Sequence, residues 1–326
     1  MKKNIVASVV FGLIIASFYP VEAQQPAKVR KIGFLVSSTG PSGSSSIFEA
    51  FRQGMRELGY TEGQNIVIEY RSGEGGARLT ELATELIQEK VELIVGAGPG
   101  ANAAKRATGT IPIVFSYSGD PIEAGFIDSL ARPGRNMTGI TWLAFELVGK
   151  RLEILKEAVP RVSRVAALGS PLHAGEQREL RETQSTARAL GVTLQYSQVK
   201  DTADVNAVFD TIIKENPNAL LVFADPVTNG HREQIAEFAA KRRLPSMFGR
   251  KEPVEAGGLI SYGAQLDEVY RRIPVHVDKI LKGAKPADVP TELPTKFELF
   301  INLKTAKQIG VTIPPNLLVR ADKVIK

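Results

Sequence analysis

The sequence predicts an α/β protein of two lobes, each a parallel sheet flanked by helices, joined by a hinge. Three observations lead there. Short apolar runs of strand length alternate with stretches of helical periodicity along nearly the whole chain. The alternation runs through one series, breaks at Ile111 to Thr141, and starts again. The chain has 326 residues, 43% of them apolar and 23% charged, which is enough for about two domains with packed cores.

The first series opens with a strand over Lys31 to Val36. A hydroxyl-rich stretch, Ser37 to Ser46, leads into a helix whose Ile47, Phe48, Phe51, Met55 and Leu58 share one face, closed by Gly59. A second strand spans Asn65 to Tyr70, and Leu79, Leu82, Leu86 and Ile87 mark the next helix. Glu92 to Val95 is the third strand, followed by Gly96-Ala97-Gly98-Pro99-Gly100 and a helix of small residues. The fourth strand is Ile111 to Phe115, entering the polar loop Ser116 to Pro121. A helix is expected after it, stopped by Ala131-Arg132-Pro133-Gly134-Arg135-Asn136. Met137 to Thr141 then reads as a link.

The second series has a helix ending at Pro160, a strand over Arg164 to Leu168, a helix capped by Gly191, and a strand over Thr193 to Val199. Another helix precedes the buried strand Ala219 to Phe223, which enters Ala224-Asp225-Pro226. Short strands follow at Pro245 to Phe248 and Leu259 to Tyr262. The helix over Val269 to Leu281 contains Pro274, which should kink it or delay its start. We expect one lobe from residues 27–139 plus 264–283, and a second from 140–263 plus 284–326. Ligands of open α/β sheets sit beyond the carboxyl ends of the strands, so the natural site is the cleft between two such Rossmann-like sheets.

The amino terminus reads as an address. Met1-Lys2-Lys3 is basic, Ile5 to Phe18 is an apolar core, and Val21-Glu22-Ala23 offers small residues for a signal peptidase. Residues 1–23 are read as a cleaved signal peptide, with a mature chain beginning at Gln24 and working in the periplasm. Its removal would lower the net charge of +6 by one, and the basic residues are scattered. That argues against a nucleic-acid partner. The chain has no cysteine, which excludes disulfides, thiolate metal sites and a lipidated amino-terminal Cys.

Candidate site residues fall in loops after strands. Ser37, Ser38, Thr39 and Ser45 belong to the hydroxyl-rich loop; with the free amides of the following helix they suit a carboxylate, or else form a plain polar loop. Gly96, Ala97 and Gly98 sit in a G-x-G-x-x-A pattern that admits three readings: a dinucleotide site, a tight turn with close helix packing, or a backbone surface for another small ligand. Asp120 and Asp225 each follow a strand and precede Pro; either could hold a ligand ammonium or cap the next helix. Trp142 could stack on a ligand, cover the hinge, or fill a core. Arg71 reads as an assisting cation or a surface ion pair. His173, His231 and His276 lack metal-ligand spacing, and no nucleophile elbow is present.

Several segments carry a resemblance: Glu57-Leu58-Gly59-Tyr60, Ile111 to Phe115, Gly119-Asp120-Pro121, Ser129 to Gly134, Asn136 to Gly139, Gly257 to Gly263, Ile280 to Gly283, and Ile301 to Ala306. In that order the chain resembles the ABC-transporter substrate-binding family that includes tryptophan- and tyrosine-type solute receptors. Pro274 departs from it, standing where members usually have Ala. The resemblance implies a type I periplasmic binding protein fold, a Venus flytrap closing on its ligand. It implies a pocket made by the loops around Ser37, Gly96, Ser116, Ser170, Asp225 and Tyr262. It implies a small-molecule ligand that is a carboxylate, amino-acid-like or aromatic compound, an inner-membrane ABC permease as partner, a monomer, no cofactor and no covalent chemistry. A ligand sensor for a membrane signalling partner and a secreted α/β enzyme on a small carboxylate are the alternatives.

Overall fold

The computed structural model describes residues 29–37, 45–171, 173, 175–200 and 205–326. The first lobe contains β1 (Arg30–Ser37), α1 (Ser45–Glu57), β2 (Ile66–Gly73), α2 (Gly76–Gln88), β3 (Leu93–Ala97), α3 (Pro99–Ala107), β4 (Ile113–Tyr117) and β5 (Met137–Thr141). The chain then crosses to α4 (Ala144–Ala158), β6 (Arg164–Gly169), α5 (Glu176–Ala189), β7 (Thr193–Gln198), α6 (Val205–Lys214) and β8 (Ala219–Val222). It continues through α7 (Pro226–Gly230), α8 (Arg232–Lys241), β9 (Ser246–Phe248), α9 (Glu252–Glu255) and β10 (Ile260–Ala264). It recrosses into α10 (Leu266–Leu281), and ends with β11 (Phe297–Asn302), α11 (Leu303–Ile309), α12 (Pro315–Val319) and β12 (Lys323–Ile325).

The first sheet has the order β2-β1-β3-β4-β5 and is parallel throughout. The second has the order β12-β11-β10-β9-β8-β6-β7. It is parallel from β7 to β10; β11 then adds antiparallel to β10, because the chain returns from the other lobe in the opposite direction. The central strands are buried on both faces, which is why they read as continuous apolar runs rather than alternating ones.

Helix α10 packs on the first sheet. Its Val269, Tyr270, Ile273 and Val277 share a core with Phe34 and Phe51. Pro274 lies inside α10 without ending it. Gly54 of α1 makes room at that point: a Cβ there would fall 2.3 Å from the Arg271 carbonyl oxygen and 2.9 Å from Pro274 Cγ.

Three corrections to the expected organisation follow. Met137–Thr141 is not a link but the fifth strand of the first sheet, paired with β4. The boundary expected at Gly139 therefore moves past Thr141. Residues 121–136 form turns rather than a helix. The Asp120 carboxylate accepts the backbone N–H groups of Ile122 and Glu123, and Gly125 takes φ +66°, so the chain leaves the helical path within one turn. The segment from 284 to 292, expected in the second lobe, lies on the first. Thr138 Oγ1 donates to the Val289 carbonyl at 2.7 Å, and Thr291 N–H donates to the Leu130 carbonyl at 2.8 Å.

Three crossings join the lobes, and they are hydrogen-bonded to one another. Thr141 N–H donates to the Glu292 carbonyl, and Gln265 N–H donates to that of Lys296. Leu143, in the first crossing, holds φ at +42°, unusual for a side chain branched at Cγ.

Candidate functional site

A cavity of about 140 Å³ lies between the lobes, at the carboxyl ends of both sets of strands. The first lobe contributes Ser37 from the end of β1, Ala97 and Gly98 from the end of β3, Asn102 from α3, and Tyr117 and Ser118 from the end of β4. The second lobe faces them with His173, Asp225, Asn229, Arg232 and Arg250. Trp142 from the hinge and Tyr270 from α10 also line it.

Asp225 is the most constrained of these. It caps α7: Oδ1 accepts the N–H groups of Val227 at 2.8 Å and Thr228 at 2.9 Å, and the Thr228 hydroxyl answers Asp225's own N–H. That leaves Oδ2, which is buried and has no partner. Burial pushes the Asp225 carboxyl up to about 6, against the pull of His173 and the two cap amides. The Asn229 side-chain oxygen, one turn on, is likewise buried and unpartnered. Both residues line the cavity, and neither of these buried oxygens has a donor.

The cations of this wall differ in how far they are already paired. Arg250 makes a two-pronged pair with Glu252, at 3.0 Å and 2.7 Å. Arg232 gives one N–H to the Asn229 carbonyl at 3.2 Å and lies 3.6 Å from the well-exposed Glu233 carboxylate. The two arginines also line the adjoining mouth of the cleft, across from Ser46 of α1.

Behind this wall lies a buried ionic layer. His173 Nε2 stands 3.7 Å from Glu179 Oε1. Burial opposes the imidazolium, but Glu179, Asp225 and Glu176 outweigh it and raise the His173 pKa. Arg151, fully buried, donates from Nε to the Tyr262 carbonyl at 2.8 Å. On the lobe-one side, Ser116 Oγ donates to the Tyr270 hydroxyl at 2.6 Å and so fixes a ring that lines the cavity. Burial pushes the Tyr117 hydroxyl up to about 12.

Of the residues singled out from sequence, Ser37, Ala97, Gly98, Trp142 and Asp225 come together at the cavity. Ser38 and Thr39 lie outside the described residues, and Ser45 opens α1 with its side chain outside them too. Gly96 sits behind the wall, where a Cβ would fall 2.7 Å from Ala101 Cα, the close-packing reading of that loop. The Gly98 N–H is taken by the Ser116 carbonyl at 2.8 Å, so it is not free for an anion. Ser116 acts one step back, through Tyr270. Ser170 is buried at the end of β6 and does not line the cavity. Tyr262 packs beside Phe297, away from the cavity. Asp120 is also absent from the cavity wall: its carboxylate pairs with Arg178 of the second lobe at 2.6 Å. Arg71 joins a surface network with Glu89, Glu69 and Glu85. Sequence reasoning missed Asn102, Asn229, Arg232, Arg250 and Tyr270. Only Arg250 carried a signal, since it stands two residues beyond a strand end.

The family model described as ABC transporter substrate binding protein matches residues 31–325. The chain belongs to that family. It is a solute receptor for an ABC transporter, and its members are solute-binding proteins that typically work outside the cytoplasm. Among its relatives is the "Tyrosine-binding protein" of Clostridioides difficile (strain R20291), 22% identical over 81% of this chain and 76% of that protein. Two solved structures are each 26% identical over 91% of the chain. A conserved domain protein from Vibrio cholerae is covered over 100% of its length, at a TM-score of 0.86. An ABC domain from Streptococcus pneumonia in complex with L-Trp is covered over 99%, at 0.83. Both lobes thus keep the type I periplasmic binding protein fold. Among the described residues, no helix is long and apolar enough to cross a membrane, and no cluster of acidic and His side chains could hold a metal.

Proposed function

We propose that this receptor takes a small zwitterion of amino-acid type with an apolar or aromatic body. The observation that carries the reading is the opposition of charges in one cavity: the unpartnered Asp225 Oδ2 and, on the same wall, the donors of Arg232 and Arg250. Asp225 and Asn229 take the ammonium. Arg232 and Arg250 take the carboxylate, with Ser37 from the other lobe. Trp142, Tyr117 and Tyr270 face the body of the ligand. The relatives named for tyrosine and crystallised with L-Trp agree with that class.

The lobes act as residues 29–141 plus 266–292 and residues 144–264 plus 297–326, closing about the three crossings. The closed form is what an inner-membrane permease reads. The receptor works as a periplasmic monomer exported with a signal peptide and carries out no covalent chemistry. Mature protein is expected to begin at Gln24 by intact-mass measurement.

Mass spectrometry of molecules released from purified protein tests the class, followed by calorimetric titration with L-tryptophan and L-tyrosine. A retained amino acid, or micromolar binding, is the expected result. Capture only of neutral sugars or polyols would overturn it.

A further inference from the structure

Asp120 and Arg178 meet across the lobes, outside the ligand cavity. Asp120 stands on the loop after β4 in the first lobe, and Arg178 on α5 in the second. Oδ2 of Asp120 lies 2.6 Å from Nη1 of Arg178, and Glu123 adds a second carboxylate at 3.3 Å. Both partners are held in place beforehand. Asp120 Oδ1 is tied to its own turn by the N–H groups of Ile122 and Glu123. The Arg178 guanidinium lies 3.7 Å over the ring of Phe145, on α4. The loops touch beside the pair: a Cβ at Gly175 would sit 3.5 Å from Gly119 Cα.

We propose that the Asp120–Arg178 pair is an interlobe clasp that sets the receptor's affinity without touching the ligand. The inference rests on the reading of the protein as a two-lobed receptor that closes. In such a receptor the ligand must supply whatever free energy closure lacks, so a contact made only on closure raises apparent affinity from a distance. Arginine suits the role, because a planar fork stacked on a ring gives up less freedom on pairing than a lysine stem. With side chains 34% and 20% exposed, the pair is partly screened by water. Its loss should weaken binding about two- to fivefold, the range of a partly exposed ion pair.

The chain has no cysteine, so one spin label per lobe can be placed by Glu81→Cys on α2 and Glu237→Cys on α8. Distances are measured without ligand and with L-tryptophan, in the wild type and in Asp120→Asn, Arg178→Met and Arg178→Lys. Asp120→Asn keeps the turn acceptor and removes only the charge. Both charge-removing variants should shift the ligand-free distribution toward open forms and raise the Kd about two- to fivefold at low salt, with the difference vanishing in 1 M salt. Arg178→Lys should fall between. Variants with wild-type distance distributions would overturn the clasp. If L-tryptophan does not bind the wild type, the ligand class falls while the ligand-free distances still decide the clasp. A wild type that binds yet keeps one unchanged distance overturns closure, and the clasp with it.

Discussion

Asp225→Asn separates what this carboxylate does for the ligand from what it costs the empty protein. The substitution keeps Oδ1, and with it both cap hydrogen bonds from Val227 and Thr228. It removes the charge on the unpartnered, buried Oδ2. The folded pKa of about 6 stands above the ordinary 3.8, so the fold prefers the neutral form. The cost of ionising Asp225 is therefore absent below about pH 4, grows between pH 4 and 6, and is complete above 6. A displacement of that size corresponds to at most about 3 kcal/mol. Without ligand, Asp225→Asn should be more stable than the wild type at pH 8, by up to that amount, and equal to it near pH 4. With ligand the sign reverses. A lost hydrogen bond to a charged group costs about 1.5–3 kcal/mol, so L-tryptophan should bind about 10- to 150-fold more weakly at pH 8. Wild-type affinity should fall about tenfold from pH 7 to 5 as the carboxyl takes up a proton, while the variant should lose that dependence on Asp225. Indole-3-propionate, which lacks the ammonium, should not discriminate between the two proteins. Urea denaturation at pH 4 and 8, with calorimetry for both ligands, decides it. Equal losses for the two ligands, or unchanged stability at pH 8, would refute the assignment.

Three other outcomes follow from the same structure. Gly54→Val should destabilise the first lobe by about 1–3 kcal/mol in urea, because its side chain would enter the Arg271 carbonyl and Pro274; wild-type stability would mean that α1 and α10 separate freely. Glu298→Gln should raise stability at pH 8 and not at pH 4: burial lifts this carboxyl to about 7, and the benefit of its neutral form, full below about pH 4, is lost as pH rises through 7. Because the group is half-exposed, the gain should be only about 1 kcal/mol, read from the urea midpoint. L-Tryptophan at about 100 times its Kd should add about 2.7 kcal/mol to unfolding, and an unchanged melting temperature under saturating calorimetric binding would contradict that linkage.

Asp120 and Asp225 show where sequence reading stops. Each follows a strand and precedes Pro, and each caps the turn that follows with Oδ1. Locally they are the same signal. The difference lies in what Oδ2 meets: Arg178, 58 residues away, for one, and no donor at all, in a residue that lines the cavity, for the other. Strand ends are legible because buried parallel strands leave apolar runs, and Ser37, Ala97, Gly98 and Asp225, read from those ends, line the interlobe cavity. Fine geometry is not. Ser116 lies on a strand end too, yet α10, arriving from residue 266 onward, covers it with Tyr270. The link read into Met137–Thr141 failed for a similar reason. Five residues with Gly139 at their centre carry little strand signal alone, and pairing with β4 decides them.

The carboxylate end of the ligand is where the two arginines can be told apart. Arg250 is already engaged by both oxygens of Glu252, with side chains 21% and 25% exposed. Arg232 has one backbone acceptor and a longer contact to Glu233, whose side chain is 78% exposed. An approaching carboxylate therefore competes with a near-optimal fork at Arg250, and with little at Arg232. Arg232→Met should weaken L-tryptophan by about 1.5–3 kcal/mol while leaving the melting temperature of the empty protein nearly unchanged. Arg250→Met should cost less affinity and more stability, about 1–3 kcal/mol, because it strands Glu252 without its cation. The amide of tryptophan, with no negative charge to hold, should bind both variants about as well as it binds the wild type. Calorimetry with acid and amide, alongside thermal melts, separates the roles. Equal losses of acid and amide in Arg232→Met would mean that this side chain shapes the mouth of the cleft rather than reading charge, and the anionic end of the ligand would then belong with Ser37 and the start of α1.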